Sequence, residues 1–139
     1  MPKRILVVDD EPWILAVIKR RLEVTGYSVT SAADGVEALE RARAEMPDLM
    51  VLDLMLPRKS GYDVCVELKN DPACAHIPIL MLTARTQDKE VERGVQSGAD
   101  GYMMKPFDGA KLVERVAEML MRADRSEGEP KTRPEGGSG

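Results

Sequence analysis

Four short apolar runs stand out along the chain, at 5–8 (ILVV), 49–52 (LMVL), 77–82 (IPILML) and 101–104 (GYMM). The first three show no polar alternation, the pattern of strands covered on both faces in a parallel sheet. Residues 27–31 (YSVTS) alternate and predict an edge strand. Between the runs lie helical patterns. Ile14, Val17, Ile18 and Leu22 repeat as one buried helix face. Val36, Ala38, Leu39 and Ala42 mark a second helix, ended by Met46-Pro47, and Leu112, Val113, Val116, Ala117 and Leu120 mark the last. The segment 86–97 has only Val91 and Val95 as aliphatic anchors and carries Gly94, which costs about 1 kcal/mol relative to Ala in a helix interior. It predicts a weakly held helix. Strand and helix thus alternate five times, which predicts a single-domain, doubly wound (βα)5 α/β fold with right-handed crossovers. Residues 123–139 hold no aliphatic side chain larger than Ala. They are expected to form a flexible tail, a linker or a cloning remnant beyond a domain spanning 1–122.

Composition narrows the possibilities. With 139 residues, 43% hydrophobic and 32% charged, the chain can bury one core and is not globally disordered. A net charge of −4 and a pI near 5.1 argue against a bulk electrostatic grip on nucleic acid or anionic lipid. No run approaches the roughly 18 apolar residues of a membrane span. The basic start MPKR meets Asp9, Asp10 and Glu11 too soon for a signal peptide. Cys65 and Cys74 match neither a CxxC pair nor a disulfide framework. A cytoplasmic location is expected.

The C-terminal ends of the expected strands carry the chemistry. Strand one ends in Asp9-Asp10, strand three in Asp53, strand four in Thr83 and strand five in Lys105 followed by Pro106. In an open α/β sheet these ends share one edge, where ligands bind. Three gathered carboxylates need a counter-charge or protons. A hard, oxygen-seeking cation such as Mg²⁺ meets that need and keeps positions open for phosphate oxygens. Lys105 supplies a point charge and Thr83 a hydroxyl donor for such oxygens. A carboxylate so placed can act as a nucleophile and form an aspartyl-phosphate. Asp53 stands alone on its strand and is central in the expected sheet.

The segments LVVDDE (6–11), LDLMLPRKSGYDV (52–64), MLTA (81–84) and GADGYMMKPF (98–107) resemble the receiver domain of bacterial two-component response regulators, in particular the single-domain chemotaxis-type receivers. The likeness covers 3–122. It implies a flavodoxin-like sheet in the order 2-1-3-4-5. It implies that Asp53 accepts a phosphoryl group from a histidine kinase or phosphotransfer protein. Asp10, Asp53 and the Met55 carbonyl would hold Mg²⁺ (or Mn²⁺), with Asp9 helping through water. Thr83 and Lys105 would bind phosphoryl oxygens, and a cis Lys105-Pro106 bond would aim the lysine. Thr83, with its neighbour Ala84, and the ring of Tyr102 would form the switch. That switch would reshape the face of the fourth helix, fifth strand and last helix, which a downstream partner, an output domain outside this chain or a second copy would read. Met55 and Arg85 occupy positions that tune the phosphoryl lifetime in the family. An apolar Met55 cannot orient an attacking water, so slow loss is expected.

Blander readings stand beside these. Asp9 and Asp10 can cap the first helix, Asp53 can be a buried turn residue before Pro57, and Thr83 an ordinary strand-end residue. Lys105 can snorkel along the sheet edge. Gly61, Gly98 and Gly101 read as turn residues, Trp13 as a partly buried packing residue and His76 as a loop residue. Cys65 fits an inner helix face and Cys74 a loop. Other functions compete as well. An aspartyl phosphatase would place a second Asp where Met55 stands, and a flavin carrier would not put VVDDEPW after strand one. An inactive receiver-like scaffold would not be expected to keep Asp10, Asp53, Thr83 and Lys105 together.

Overall fold

The computed structural model describes residues 2–84, 98–105 and 107–128. Five parallel strands, β1 (Arg4–Val8), β2 (Ser28–Ala32), β3 (Leu49–Asp53), β4 (Ile79–Ala84) and β5 (Gly101–Lys105), form one sheet in the order β2-β1-β3-β4-β5. The helices are α1 (Pro12–Thr25), α2 (Gly35–Glu45), α3 (Gly61–Lys69) and α4 (Gly109–Gly128). The fold is the expected doubly wound α/β fold, and the alternating 27–31 segment does supply an edge strand.

The uninterrupted apolar runs follow from the two cores. Successive strand residues point to opposite faces. Ile5, Val7, Val51, Leu80 and Leu82 therefore meet Ile18 and Leu22 of α1 and Leu112, Val116 and Leu120 of α4. Leu6, Val8, Met50, Leu52 and Met81 meet Ala38, Leu39 and Ala42 of α2 and Val64, Cys65 and Leu68 of α3. Local chemistry sets the helix ends. Pro12 opens α1, and Gly26 closes it at φ 114°, a conformation that suits glycine. Asp34 and Ser60 cap α2 and α3 by accepting the N–H groups of Glu37 and Asp63.

Several details differ from the sequence expectations. Trp13 is not partly buried but 67% exposed, because it lies five residues, about 140° around the helix, from Ile18 on the buried face. Val17 is also exposed. Gly101 is not in a turn but opens β5, and Gly61 opens α3. A Cβ on Gly61 would lie 2.0 Å from the Asp53 carbonyl oxygen, so only glycine lets α3 start so close to β3. Cys74 sits in a loop yet is buried. The C-terminal helix runs to Gly128, past the expected boundary at 122, and Asp124 accepts a 2.7 Å bond from Lys3. The expected helix over 86–97, Arg85, Pro106 with its preceding peptide bond, and residues 129–139 lie outside the described residues. Among the described residues, no helix is long and apolar enough to cross a membrane.

Candidate functional site

The parallel register brings the strand ends together. Asp53 closes the central strand β3, and Leu54 N–H continues the ladder to the Leu82 carbonyl at 2.9 Å. Asp9 follows β1 directly and donates its own N–H to the Ala32 carbonyl at 3.2 Å. Both carboxylates are buried, Asp9 being 1% and Asp53 4% exposed. Lys105 closes β5 beside Ala84. From there its ammonium reaches Asp9 Oδ2 at 2.9 Å and Asp53 Oδ2 at 3.0 Å. The remaining oxygens are held by backbone: Asp9 Oδ1 accepts Glu11 N–H at 2.9 Å, and Asp53 Oδ1 accepts Met55 N–H at 3.1 Å. Thr83 on β4 is 2% exposed, and its Oγ1 is buried with no hydrogen-bond partner among the described residues.

The electrostatics follow from one ammonium serving two buried carboxylates. Burial raises the Asp53 carboxyl above its ordinary value. The hydrogen bond and charge of Lys105 and the Met55 N–H oppose that rise, and Asp9 adds to it. For Lys105, burial favours the neutral amine. The hydrogen bonds and charges of Asp9 and Asp53 outweigh that effect, and its pKa is raised. Asp10 is exposed, yet one carboxylate oxygen each from Asp9, Asp10 and Asp53 lies within 4.8 Å of the others. That all-oxygen donor set, with one member open to solvent, fits a hard divalent cation better than a soft metal.

The structure thus gathers Asp9, Asp10, Asp53, Thr83 and Lys105 at one edge. Met55 follows Asp53 with its side chain 59% exposed, while its N–H faces the Asp53 carboxylate. Tyr102 lies on β5 in register with Met81, its side chain exposed, and Ala84 closes β4.

The model of the response regulator receiver domain matches residues 5–117. The chain belongs to this family. The receiver is similar, at 45% identity over 122 residues, to the DNA-binding dual master transcriptional regulator RpaA of Synechocystis sp., covering 88% of this chain and 51% of that protein. It is 45% identical over 124 residues to the alkaline phosphatase synthesis transcriptional regulatory protein PhoP of Bacillus subtilis, covering 89% and 51%. The chain therefore spans about half the length of these curated relatives. Among solved structures, a CheY-like response regulator receiver domain protein from Methanospirillum hungatei superposes with a TM-score of 0.85 at 30% identity, covering 91% of this chain and 99% of that one. The BeF3-activated receiver domain of DrrB, a Thermotoga maritima protein, superposes at 0.79 with 34% identity, covering 88% and 100%.

Three residues that sequence reasoning passed over also belong to the neighbourhood. Arg58 Nη1 donates to Asp34 Oδ2 at 3.1 Å, and Gly35 N–H donates to the Pro57 carbonyl at 3.4 Å. An Asp-Gly step at the start of a helical pattern signals a cap. Nothing in the sequence pairs that cap with a loop more than twenty residues away.

Proposed function

We propose that this receiver accepts a phosphoryl group on Asp53 from a histidine kinase or a phosphotransfer protein and passes the change to a downstream partner or output domain. One observation carries the reading: the central-strand carboxylate of Asp53 lies 3.0 Å from the ammonium of Lys105 in a cleft shared with two further aspartates. In the reaction an Asp53 oxygen attacks phosphorus and forms the O–P bond. The bond from phosphorus to the donor nitrogen breaks and its electron pair goes to that nitrogen; with the donor ring protonated on its other nitrogen beforehand, the imidazole leaves as a neutral ring. Lys105 then pairs with a phosphoryl oxygen in place of the Asp53 carboxylate, and Thr83 Oγ1 donates to another. That hydroxyl has no competing partner among the described residues.

Asp10, Asp53 and the Met55 carbonyl would hold Mg²⁺ or Mn²⁺, with Asp9 acting through water. When bound, the cation supplies positive charge against the transferring phosphoryl oxygens. The chain acts as a signalling module in the cytoplasm and turns over no substrate beyond its own aspartyl-phosphate. Movement of Thr83, with Ala84, toward the phosphoryl group and a matching rotation of Tyr102 would transmit the state of Asp53 to the β5–α4 face.

The test is intact mass after incubation with acetyl phosphate, with and without Mg²⁺, for wild type and Asp53→Asn. One added phosphoryl that requires Mg²⁺ and is missing in Asp53→Asn is expected. An adduct that survives in the variant places the chemistry on another carboxylate. No adduct from either acetyl phosphate or a phosphorylated histidine donor overturns the reading.

A further inference from the structure

The loop from Leu54 to Ser60 carries Met55 from β3 to α3, and it is shaped by more than its own turn residues. Its ends are tied together by Gly61 N–H donating to the Leu54 carbonyl at 2.8 Å. At its far side Lys59 N–H donates to the Pro57 carbonyl at 2.7 Å around Arg58, whose φ is 68°. That is a three-residue turn of the strained hand, unfavourable for a side chain bearing a Cβ. Strain of this kind persists only where surrounding contacts impose it.

Those contacts come from the start of α2. The Arg58 guanidinium binds Asp34 Oδ2, while Asp34 Oδ1 accepts Glu37 N–H at 2.8 Å and so is fixed to the helix. Gly35 N–H meets the Pro57 carbonyl on the other side of the turn. A Cβ on Gly35 would stand 1.9 Å from the Lys59 carbonyl oxygen, so the loop is seated against bare helix backbone.

We infer that Asp34, Gly35 and Arg58 form a clamp that positions the Met55 segment and thereby sets the affinity of the acidic cleft for its divalent cation. This rests on the receiver reading above. The three are positioning residues: they act through the loop, and none is itself a ligand. The sign of the effect separates the clamp from simple charge. Coulomb repulsion alone would make Arg58→Ala bind Mg²⁺ more tightly, because a like charge is removed from the surroundings of the site. The clamp makes it bind more weakly.

The experiment titrates Mg²⁺ into the native full chain by isothermal calorimetry, and records separately each variant's metal-free melting midpoint and its rise when Mg²⁺ is added. A half-saturating Mg²⁺ concentration about tenfold higher is expected for Gly35→Ala, and about threefold higher for both Arg58→Ala and Asp34→Asn. The Arg58→Ala/Asp34→Asn double variant should also show about threefold rather than ninefold, because both changes break one bridge. A merely structural bridge would lower the metal-free midpoint and leave half-saturation where it was. Half-saturation that is unchanged or lower in Arg58→Ala overturns the clamp, whether or not Gly35→Ala folds. Wild type that shows no Mg²⁺-linked rise at all, alongside an identical Asp53→Asn, overturns the receiver reading instead.

Discussion

Lys105 reaches from the outer strand β5 past β4 to Asp53 on the central strand, placing Nζ 3.0 Å from Oδ2. The same ammonium lies 2.9 Å from Asp9 Oδ2. One cation therefore holds two buried anions that would otherwise face each other. Removing one partner of a buried ionic group costs about 3–5 kcal/mol, chiefly because the remaining charge is left uncompensated. Lys105→Met is expected to lose stability of that order at pH 7, and millimolar Mg²⁺ should restore part of it by taking over the counter-charge. Urea unfolding with and without Mg²⁺ measures both effects. A variant as stable as wild type without metal would show that the ammonium does not hold the site together.

Thr83 presents the opposite case, a buried hydroxyl whose hydrogen-bonding capacity is unused among the described residues. An unmade buried hydrogen bond costs about 1–3 kcal/mol. Valine has nearly the same shape without the hydroxyl. Thr83→Val is therefore expected to melt at or above the wild-type temperature while giving little phosphorylation-dependent amide exchange on the β5–α4 face. Thr83→Ala should melt lower, because it leaves a cavity. A marked loss of stability in Thr83→Val would mean that the hydroxyl already has a structural partner.

The site is legible in the chain because each member lies at or beside the C-terminal end of a strand, and parallel strands aim those ends at one edge. Asp9, Asp53, Thr83 and Lys105 needed only the four apolar runs to be placed. Sequence pattern fails where the cause is non-local. Gly61 looks like a turn residue until the Asp53 carbonyl appears beside it, and Asp34-Gly35 looks like an ordinary cap until the Pro57–Lys59 turn is seen against it. The domain boundary expected at 122 falls inside α4 for a different reason. Residues 123–128 bring no apolar anchor, so the hydrophobic pattern stops where the helix does not. Trp13 departs from the expected partial burial because an aromatic next to a helix start suggests packing, while helical phase turns it outward.

The two cysteines are buried, Cys65 in the α2–α3 core and Cys74 in the loop before β4. Burial pushes the Cys74 thiol up, and the neighbouring Asp71 adds to the rise. A thiol that is both covered and held protonated reacts slowly. Neither cysteine is expected to label with a water-soluble disulfide reagent in native buffer at pH 8, whereas both should label in urea. Rapid labelling of either under native conditions would reveal local opening of α3 or of the loop that follows it.

The Asp34–Arg58 bridge should also appear in the acid limb of the stability curve. The Glu37 N–H that Asp34 accepts holds its carboxyl below the ordinary value of 3.8; burial opposes this, and the charge and hydrogen bond of Arg58 assist it. A lowered folded-state pKa means that the unfolded chain binds more protons than the folded one just below 3.8, so stability rises with pH there and is lost as pH is lowered. Asp34 thus contributes fully above that value, and its contribution disappears as pH drops through the lowered folded-state value. Asp34→Asn keeps an oxygen to accept Glu37 N–H but cannot titrate. It is expected to be less stable than wild type at pH 7, with the two curves converging at acid pH. The gap at pH 7 should also narrow in high salt, since the Arg58 side chain is exposed. Urea midpoints for both proteins from pH 2 to 7 decide the matter: a constant gap across that range would assign the loss to packing rather than to the carboxylate.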